Sequence, residues 1–235
     1  MYRTSNILED LHNGDTMSQE VFHALYEGRH NEFRAELIDG MVYVREPLSE
    51  THAEVHARVI SIFDAYRAST TGVQAFSDAT VILSETDEVQ PDAMLRIRPE
   101  YNGQTSDYWF RKGRRTRGPY VKGAPELVAE VAFSSRAIDL HAKQKRYQNA
   151  GVLEYLVISL KEQKLFWFDL SHAQELNPNE SGIFQSRVFP GLWIHESALL
   201  SMDYKLTMET LNKGLGSEEH KSFLRALQNR KYLKF

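Results

Sequence analysis

The stretch that most constrains the fold is residues 124–159, in which two apolar runs flank a helical pattern. Residues 127–133 and 153–160 have the length and the β-branched content of strands, and residues 137–149 have the spacing of a helix. Gly151 marks the end of that helix. A strand, a helix and a second strand at this spacing predict a βαβ unit, whose strands run parallel in one sheet.

One acid interrupts the first of these strands. Strands of parallel sheets are buried on both faces, and a buried carboxylate without a partner is costly or loses its charge. We therefore expect Glu130 either to meet a cation or to lie at the rim of the sheet and face a site.

Composition excludes several classes of function. The 235 residues suffice for one good-sized domain with appendages, and the absence of cysteine excludes disulfides and thiolate metal sites. A chain without cysteine suits a reducing compartment, so we expect a cytoplasmic protein. The net charge of −4 means that any surface for nucleic acid must be a local basic patch. No apolar run approaches the roughly 20 residues that span a bilayer, and the N-terminus has no apolar signal core.

Local patterns around the βαβ unit predict an α/β protein. Ser18 can cap a short helix, and Asp39-Gly40 between apolar residues is a strong hairpin signal. The other expected elements are a helix at 51–69, strands at 73–83, 89–97, 164–170 and 183–189, and helices at 197–200 and 204–235. The last two strands should be antiparallel additions to the sheet edge. The chain then divides into a lead-in (1–15), a core domain (16–200) and a C-terminal helical extension (201–235).

A basic insertion with little apolar periodicity lies at residues 99–123, and we expect a loop over residues 103–123. Its cations could contact phosphates, and the aromatic residues among them could stack on bases. The candidate nucleic-acid-binding residues are Arg111, Lys112, Arg114, Arg115 and Arg117. The same charges would also fit a solvated loop that pairs with acids elsewhere.

Three charged residues form the candidate site. Asp92 follows Pro91 near the start of one strand, Glu130 lies inside a later strand, and Lys143 is on the next helix. Two carboxylates at neighbouring strand ends can hold Mg²⁺, and a nearby ammonium can orient water at a phosphodiester. Asp92 could instead cap a turn, and Lys143 could be a solvated lysine that pairs with Asp139.

The order of these motifs resembles the PD-(D/E)XK nuclease superfamily, and in detail the Uma-two family of restriction-endonuclease-like proteins. The likeness covers about residues 17 to 200. The matching pieces are Glu36-Leu37-Ile38-Asp39-Gly40, Ser49 with His52, Val89-Gln90-Pro91-Asp92, Ala124-Pro125-Glu126-Leu127-Val128-Ala129-Glu130-Val131, Asp139-Leu140 with Lys143 and Tyr147, and Gly151-Val152-Leu153-Glu154-Tyr155. The simplest pattern has lysine two residues after the second acid, where this chain has Ala132. Phe133-Ser134-Ser135 replaces the usual Ser-Pro-Ser.

The resemblance implies a restriction-endonuclease-like mixed sheet flanked by helices, and a metal-dependent endonuclease that acts on DNA. It implies catalytic roles for Asp92, Glu130, Lys143 and Glu36, with Asp92 and Glu130 as ligands of Mg²⁺ or Mn²⁺. Gln90, His52 and Tyr147 would line the site, and a homodimer is an assembly that such nucleases often use.

Several alternatives stay open at this stage. Glu36 could pair with Arg34 or Arg45 at the surface, and His52 could cap or pack its helix, with His56 four residues on. The whole chain could be a nucleic-acid-binding or scaffold protein that keeps the fold without cutting, or an enzyme acting on a small phosphorylated ligand.

Overall fold

The computed structural model of the chain describes residues 11–27, 33–45, 47–111, 114–132 and 142–232, with the backbone alone at 108–111, 114–117 and 232. The strands are β1 (Ala35–Ile38), β2 (Met41–Val44), β3 (Val73–Ser77), β4 (Val81–Ile82), β5 (Glu88–Val89), β6 (Ala93–Ile97), β7 (Ser106–Arg111), β8 (Arg114–Lys122), β9 (Leu127–Ala132), β10 (Glu154–Ser159), β11 (Lys164–Asp169), β12 (Gln174–Leu176), β13 (Ile183–Gln185) and β14 (Trp193–His195). The helices are α1 (Gln19–Glu27), α2 (Glu50–Ser69), α3 (Gln144–Ala150), α4 (Glu196–Leu200), α5 (Tyr204–Leu215) and α6 (Glu218–Tyr232).

Two mixed sheets organise the described part of the chain. The first sheet has the strand order β2-β1-β5-β4-β8-β7, and the second has the order β12-β11-β10-β9-β6-β3. Strands β9 and β10 are parallel neighbours, and Gly151 ends α3 with a left-handed φ of 95°. The predicted βαβ unit is therefore confirmed, except that the first part of its helix, residues 137–141, lies outside the described residues.

The second sheet is buried on both faces. Along β9, Leu127, Ala129 and Val131 join a cluster with α2 and the C-terminal helices, whereas Val128 and Ala132 face the first sheet. This double burial accounts for the apolar runs that dominate the sequence of β9 and β10. Because side chains alternate along a strand, the position of Glu130 directs it toward the first sheet.

The hairpin predicted at Asp39-Gly40 joins β1 to β2. Ile38 pairs with Met41, so the turn has two residues, and both have positive φ (55° at Asp39, 75° at Gly40). This geometry is typical of the turns that match the twist of antiparallel strands. The expectation of a loose lead-in is wrong for residues 11–15, because Leu11 is buried and the amide of Gly14 donates to the carbonyl of Val42.

Two predicted strands each prove to be a pair of strands in different sheets. The predicted strand at 73–83 divides into β3 in the second sheet and β4 in the first, and the backbone between them includes Asp78 with φ of 50°. The predicted strand at 89–97 divides into β5 in the first sheet and β6 in the second. Polar residues stand at both crossings, Ser77-Asp78 and Gln90-Pro91-Asp92, but hydrophobic periodicity reports burial and not which sheet covers a residue.

The insertion at 99–123 is not the expected loop. After a 3₁₀ turn at Pro99–Tyr101, it forms β7 and β8, an antiparallel pair that ends the first sheet, with β8 parallel to β4. The prediction at 183–189 is also partly wrong. Strand β11 is antiparallel to β10, as expected, but β13 pairs with β14 in a separate two-stranded sheet. The edge strand of the second sheet is instead β12, which lies between the two predicted strands.

Helix α2 and the C-terminal helices cover the outer face of the second sheet. Ser49 caps α2 by accepting from the amide of His52, and Val55, Val59 and Phe63 are buried beneath it. The helix predicted at 204–235 is divided at Gly216 into α5 and α6. None of the helices in the described part of the chain is both long and apolar enough to cross a bilayer.

Gly214 lies where α5 closely approaches the β13–β14 pair. A Cβ added there would meet the carbonyl oxygen of Gly191 and lie 2.7 Å from Cγ of Trp193, so Gly214→Ala should lower the free energy of unfolding by about 1–3 kcal/mol. Urea denaturation measures the change. Gly216→Ala is the control, since its Cβ would have ordinary contacts at 3.5 Å and its φ is −80°, and its stability should stay close to that of the original chain. Equal stabilities for the two variants would contradict the predicted close packing.

Candidate active site

The candidate site lies between the two sheets. Asp92 directly precedes β6, and one step along the β6–β9 register from the Ala93–Ala129 pair brings it opposite Glu130. Directly opposed residues project from the same face of a sheet, so both carboxylates point toward the first sheet. Glu36 comes from β1 of that first sheet, and Lys143 immediately precedes α3.

Lys143 joins two of the predicted acids. Its Nζ lies 2.8 Å from Oε2 of Glu36 and 2.9 Å from Oε1 of Glu130. Tyr147, one turn further along, donates its hydroxyl to the same Oε1 of Glu130 at 2.9 Å. Glu130 thus meets a cation between the sheets, and all four side chains are buried.

Asp92 is held through both of its carboxylate oxygens. Its Oδ2 accepts the amide of Val131 at 2.8 Å and lies 3.4 Å from Nε2 of His52. Its Oδ1 accepts from Nη2 of Arg45 at 2.8 Å. The amide of Asp92 itself donates to Oε2 of Glu130 at 3.4 Å, which links the two acids directly.

Arg45 is a member of the site that the sequence did not single out. Its Nη2 lies between Asp92 Oδ1 and Glu130 Oε2, the second of these at 3.9 Å, and its Nη1 donates to the carbonyl of Gln90 at 3.2 Å. The residue follows β2 in a segment with no motif, and the only signal was its proximity to the hairpin that carries Glu36.

Two histidines on α2 hold the turn at Asp92. His56 Nε2 lies 2.6 Å from the carbonyl oxygen of Asp92, and His52 reaches the carboxylate of the same residue. The i, i+4 spacing puts both rings on one face of the helix. His52 therefore contacts a site residue rather than only packing, and its Nδ1 is buried without a hydrogen-bond partner in the described structure.

Not every predicted site residue points into the cluster. The side chain of Gln90 donates to Tyr26 and Thr80, although its backbone amide donates to Oε1 of Glu36 at 2.7 Å. Asp139 lies outside the described residues, and so does Lys112. The structure likewise does not describe the side chains of the other basic candidates, Arg111, Arg114, Arg115 and Arg117.

The electrostatics favour charged carboxylates in spite of burial. Burial raises the pKa of Asp92, but the contact with His52, the charge of Arg45 and the amide of Val131 outweigh it and hold the pKa well below its usual value. Burial also raises the pKa of Glu36, but its contact with Lys143 chiefly outweighs burial, so this pKa is lowered as well.

Arg45 and Tyr147 respond to the same charges. Burial alone would lower the pKa of Arg45, but the three carboxylates around it raise that pKa above its usual value. Burial, together with the charge of Glu130, raises the pKa of Tyr147 well above its usual value, so its phenol stays protonated and donates.

The donor set suits a hard divalent cation. Asp92 Oδ1 and Glu130 Oε2 both face one positive nitrogen of Arg45, so two carboxylate oxygens converge on a position that attracts positive charge. Magnesium needs only one or two carboxylates, because it retains waters and takes substrate phosphates as further ligands. Among the described residues, no group of three or more His, Asp or Glu side chains is arranged to hold a metal ion. Any metal held here would therefore rely on this pair.

Comparison with known proteins identifies the family. A family profile described as "Uma2: Putative restriction endonuclease" matches residues 19–203. The chain belongs to this family. The match confirms the resemblance that the motifs indicated, and no curated protein matches the sequence.

A solved structure shares the fold of this Uma2 member. It is described as a "putative nuclease belonging to DUF820 from Anabaena variabilis ATCC 29413", with 13% identity and a TM-score of 0.54. The likeness covers 78% of this chain and 92% of that chain. It confirms the restriction-endonuclease-like α/β fold and, at this identity, concerns the fold alone.

The lowered pKa of Asp92 predicts a dependence of stability on pH. Its folded pKa lies below the unfolded value of about 4, so its contribution is present above about pH 4 and is lost as the pH falls toward the folded pKa. Between about pH 7 and about pH 3, Asp92→Asn should lose ~1 kcal/mol less unfolding free energy than the original chain. Urea denaturation at both pH values measures this difference.

Asp64→Asn is the matched control, since Asp64 lies on the exposed side of α2 and pairs only with Arg67 among the contacts described. It should lose as much stability with acid as the original chain. An acid dependence of Asp92→Asn as steep as that of the control would show that the Asp92 contacts do not stabilise the folded state.

Proposed function

We propose that the chain is a metal-dependent endonuclease that hydrolyses phosphodiester bonds in DNA. The observation that carries the proposal is the meeting of Glu36, Asp92, Glu130 and Lys143 between the two sheets, with contacts of 2.8–3.4 Å. Glu36, Asp92 and Glu130 come from segments that are far apart in the sequence, and Lys143 follows Glu130 by 13 residues. Membership of a family of nucleases supports the same conclusion.

Each residue has a role that its contacts support. Asp92 and Glu130 would hold Mg²⁺ or Mn²⁺, which when bound polarises the phosphate and acidifies a water. Glu36 and Glu130 fix the position of the Lys143 ammonium, so that it can orient the attacking water and stabilise charge on the phosphate. Tyr147 and His52 hold the carboxylates of Glu130 and Asp92 in place.

DNA is the substrate that the family membership favours. The β7–β8 hairpin lies at the outer edge of the first sheet, and the sequence of its strands includes Arg111, Arg114, Arg115 and Arg117. Arginines on such a hairpin would bind phosphates in a salt-dependent way. The absence of cysteine fits a cytoplasmic location, where such an enzyme meets DNA, and a homodimer would allow it to cut both strands.

The alternative is a protein that binds nucleic acid without cutting it. It is favoured by the fact that each of the three acids already has a cationic partner, so Arg45 and Lys143 offset two of the three negative charges without a metal. Salt-dependent DNA binding with no metal-dependent cleavage would select this alternative.

We expect the purified chain to cut plasmid DNA in the presence of Mg²⁺ or Mn²⁺ and not in the presence of a chelator. Asp92→Ala and Lys143→Ala should each reduce the cleavage rate by about 100-fold or more, because each removes a charge that acts on the reacting phosphate. Gel electrophoresis of the plasmid measures the rate.

Lys145→Ala is the control for the loss of a lysine, since Lys145 is exposed on α3 two residues from Lys143. It should cut at the original rate. Circular dichroism establishes that each variant is folded. Cleavage by folded Asp92→Ala and Lys143→Ala at the rate of this control would overturn the assignment.

A further inference from the structure

We propose that Arg45 is an internal counter-cation, which occupies the position between Asp92 and Glu130 that a divalent metal would take. Binding of the metal then requires the guanidinium to move out. This inference rests on the proposed function and deepens it, because it names the residue that controls how tightly the site binds its metal.

The geometry singles out one oxygen of each carboxylate. Asp92 Oδ2 is bound to the amide of Val131 at 2.8 Å, and Glu130 Oε1 is bound to Lys143 at 2.9 Å. The other oxygens, Asp92 Oδ1 and Glu130 Oε2, lie 2.8 Å and 3.9 Å from the same Nη2 atom of Arg45. The guanidinium therefore bridges the pair of oxygens that are best placed to coordinate a cation.

Arg45 is also the member of the charged cluster that can leave most easily. Its side chain is 15% exposed, compared with 2% for Asp92 and Glu130 and 4% for Lys143. On its outer side, Nη1 lies 3.7 Å from Oδ1 of Asp78, whose side chain is 23% exposed. An outward movement toward Asp78 would thus exchange one carboxylate partner for another.

Charge balance explains why such a residue is needed. Two carboxylates buried side by side repel each other, so a cation between them stabilises the pair. Arg45 supplies a positive charge at the point where they converge. A divalent metal ion that replaced it would supply two positive charges where Arg45 supplies one, so the metal can substitute for the guanidinium at this position.

The test compares Mn²⁺ binding to the full chain and to Arg45→Gln, measured by isothermal titration calorimetry and by thermal melting with Mn²⁺ or a chelator. Arg45→Gln should bind Mn²⁺ about tenfold or more tightly, because a competing positive charge is gone. Its melting temperature should rise more on addition of Mn²⁺ than that of the original chain, since tighter binding to the folded state stabilises it more.

Arg67→Gln is the matched control. Arg67 pairs with Asp64 at 2.7 Å and not with Asp78, and the substitution removes the same charge from a side chain that is 40% exposed. Its affinity for Mn²⁺ should equal that of the original chain. Equal or weaker Mn²⁺ binding by folded Arg45→Gln, relative to this control, would overturn the inference.

Two further outcomes separate this inference from the proposed function. If the original chain binds Mn²⁺ and Asp92→Asn does not, but Arg45→Gln leaves the affinity unchanged, the metal site stands and the counter-cation role fails. If neither the original chain nor Arg45→Gln binds Mn²⁺, the metal-dependent function fails together with the inference.

Should Arg45→Gln unfold without metal, recovery of the folded circular dichroism spectrum with Mn²⁺ would support the counter-cation role, and no recovery would overturn it.

Discussion

The structure depends on the pairing of a buried carboxylate with a buried ammonium. Glu130 lies in a strand that is covered on both faces, where an unpaired charge would be strongly destabilising. Lys143 reaches it from the segment that follows the same strand, and Glu36 reaches the lysine from the opposite sheet. This chain of contacts joins the two sheets and α3 at one point. The charged cluster is therefore both a candidate site and a set of contacts that holds the two sheets together.

Much of this arrangement could be predicted from the sequence, because the decisive signals were local. The βαβ unit, the hairpin at Asp39-Gly40 and the buried face of α2 all follow from periodicity and turn chemistry. The expectation that Glu130 needs a cation or faces a site followed from the cost of burying a charge alone. The family motifs then identified Asp92 and Lys143 as its candidate partners, and the structure brings all three together.

The parts that could not be predicted are those set by contacts between distant segments. Polar residues interrupt the pattern at the crossings at Asp78 and at Gln90-Pro91-Asp92, but such an interruption does not show that the two halves of a predicted strand lie in different sheets. The basic insertion forms β7 and β8 although its sequence shows little alternation of apolar and polar residues. Strand β8 also pairs with β4, which lies elsewhere in the chain, so the local sequence does not reveal this pairing. Arg45 was considered only as a possible surface partner of Glu36 for the same reason, since an arginine after a strand is ordinary until its neighbours are known.

Between the two crossings, residues 78–92 form an excursion of the backbone that leaves the second sheet and returns to it. The chain leaves the second sheet after Ser77, forms β4 and β5 in the first sheet, and returns at Ala93, and the amide of Asp78 donates to the carbonyl of Asp92 at 3.3 Å where the ends meet. The far turn of the excursion is fastened as well, because the carbonyl of Thr86 accepts the amide of Gly40 and the carboxylate of Asp87 accepts from Arg146. One residue inserted between β5 and β6 would rotate the aspartate to the opposite face of the sheet. Evolution of this fold is thus constrained both at the base of the excursion and at its tip.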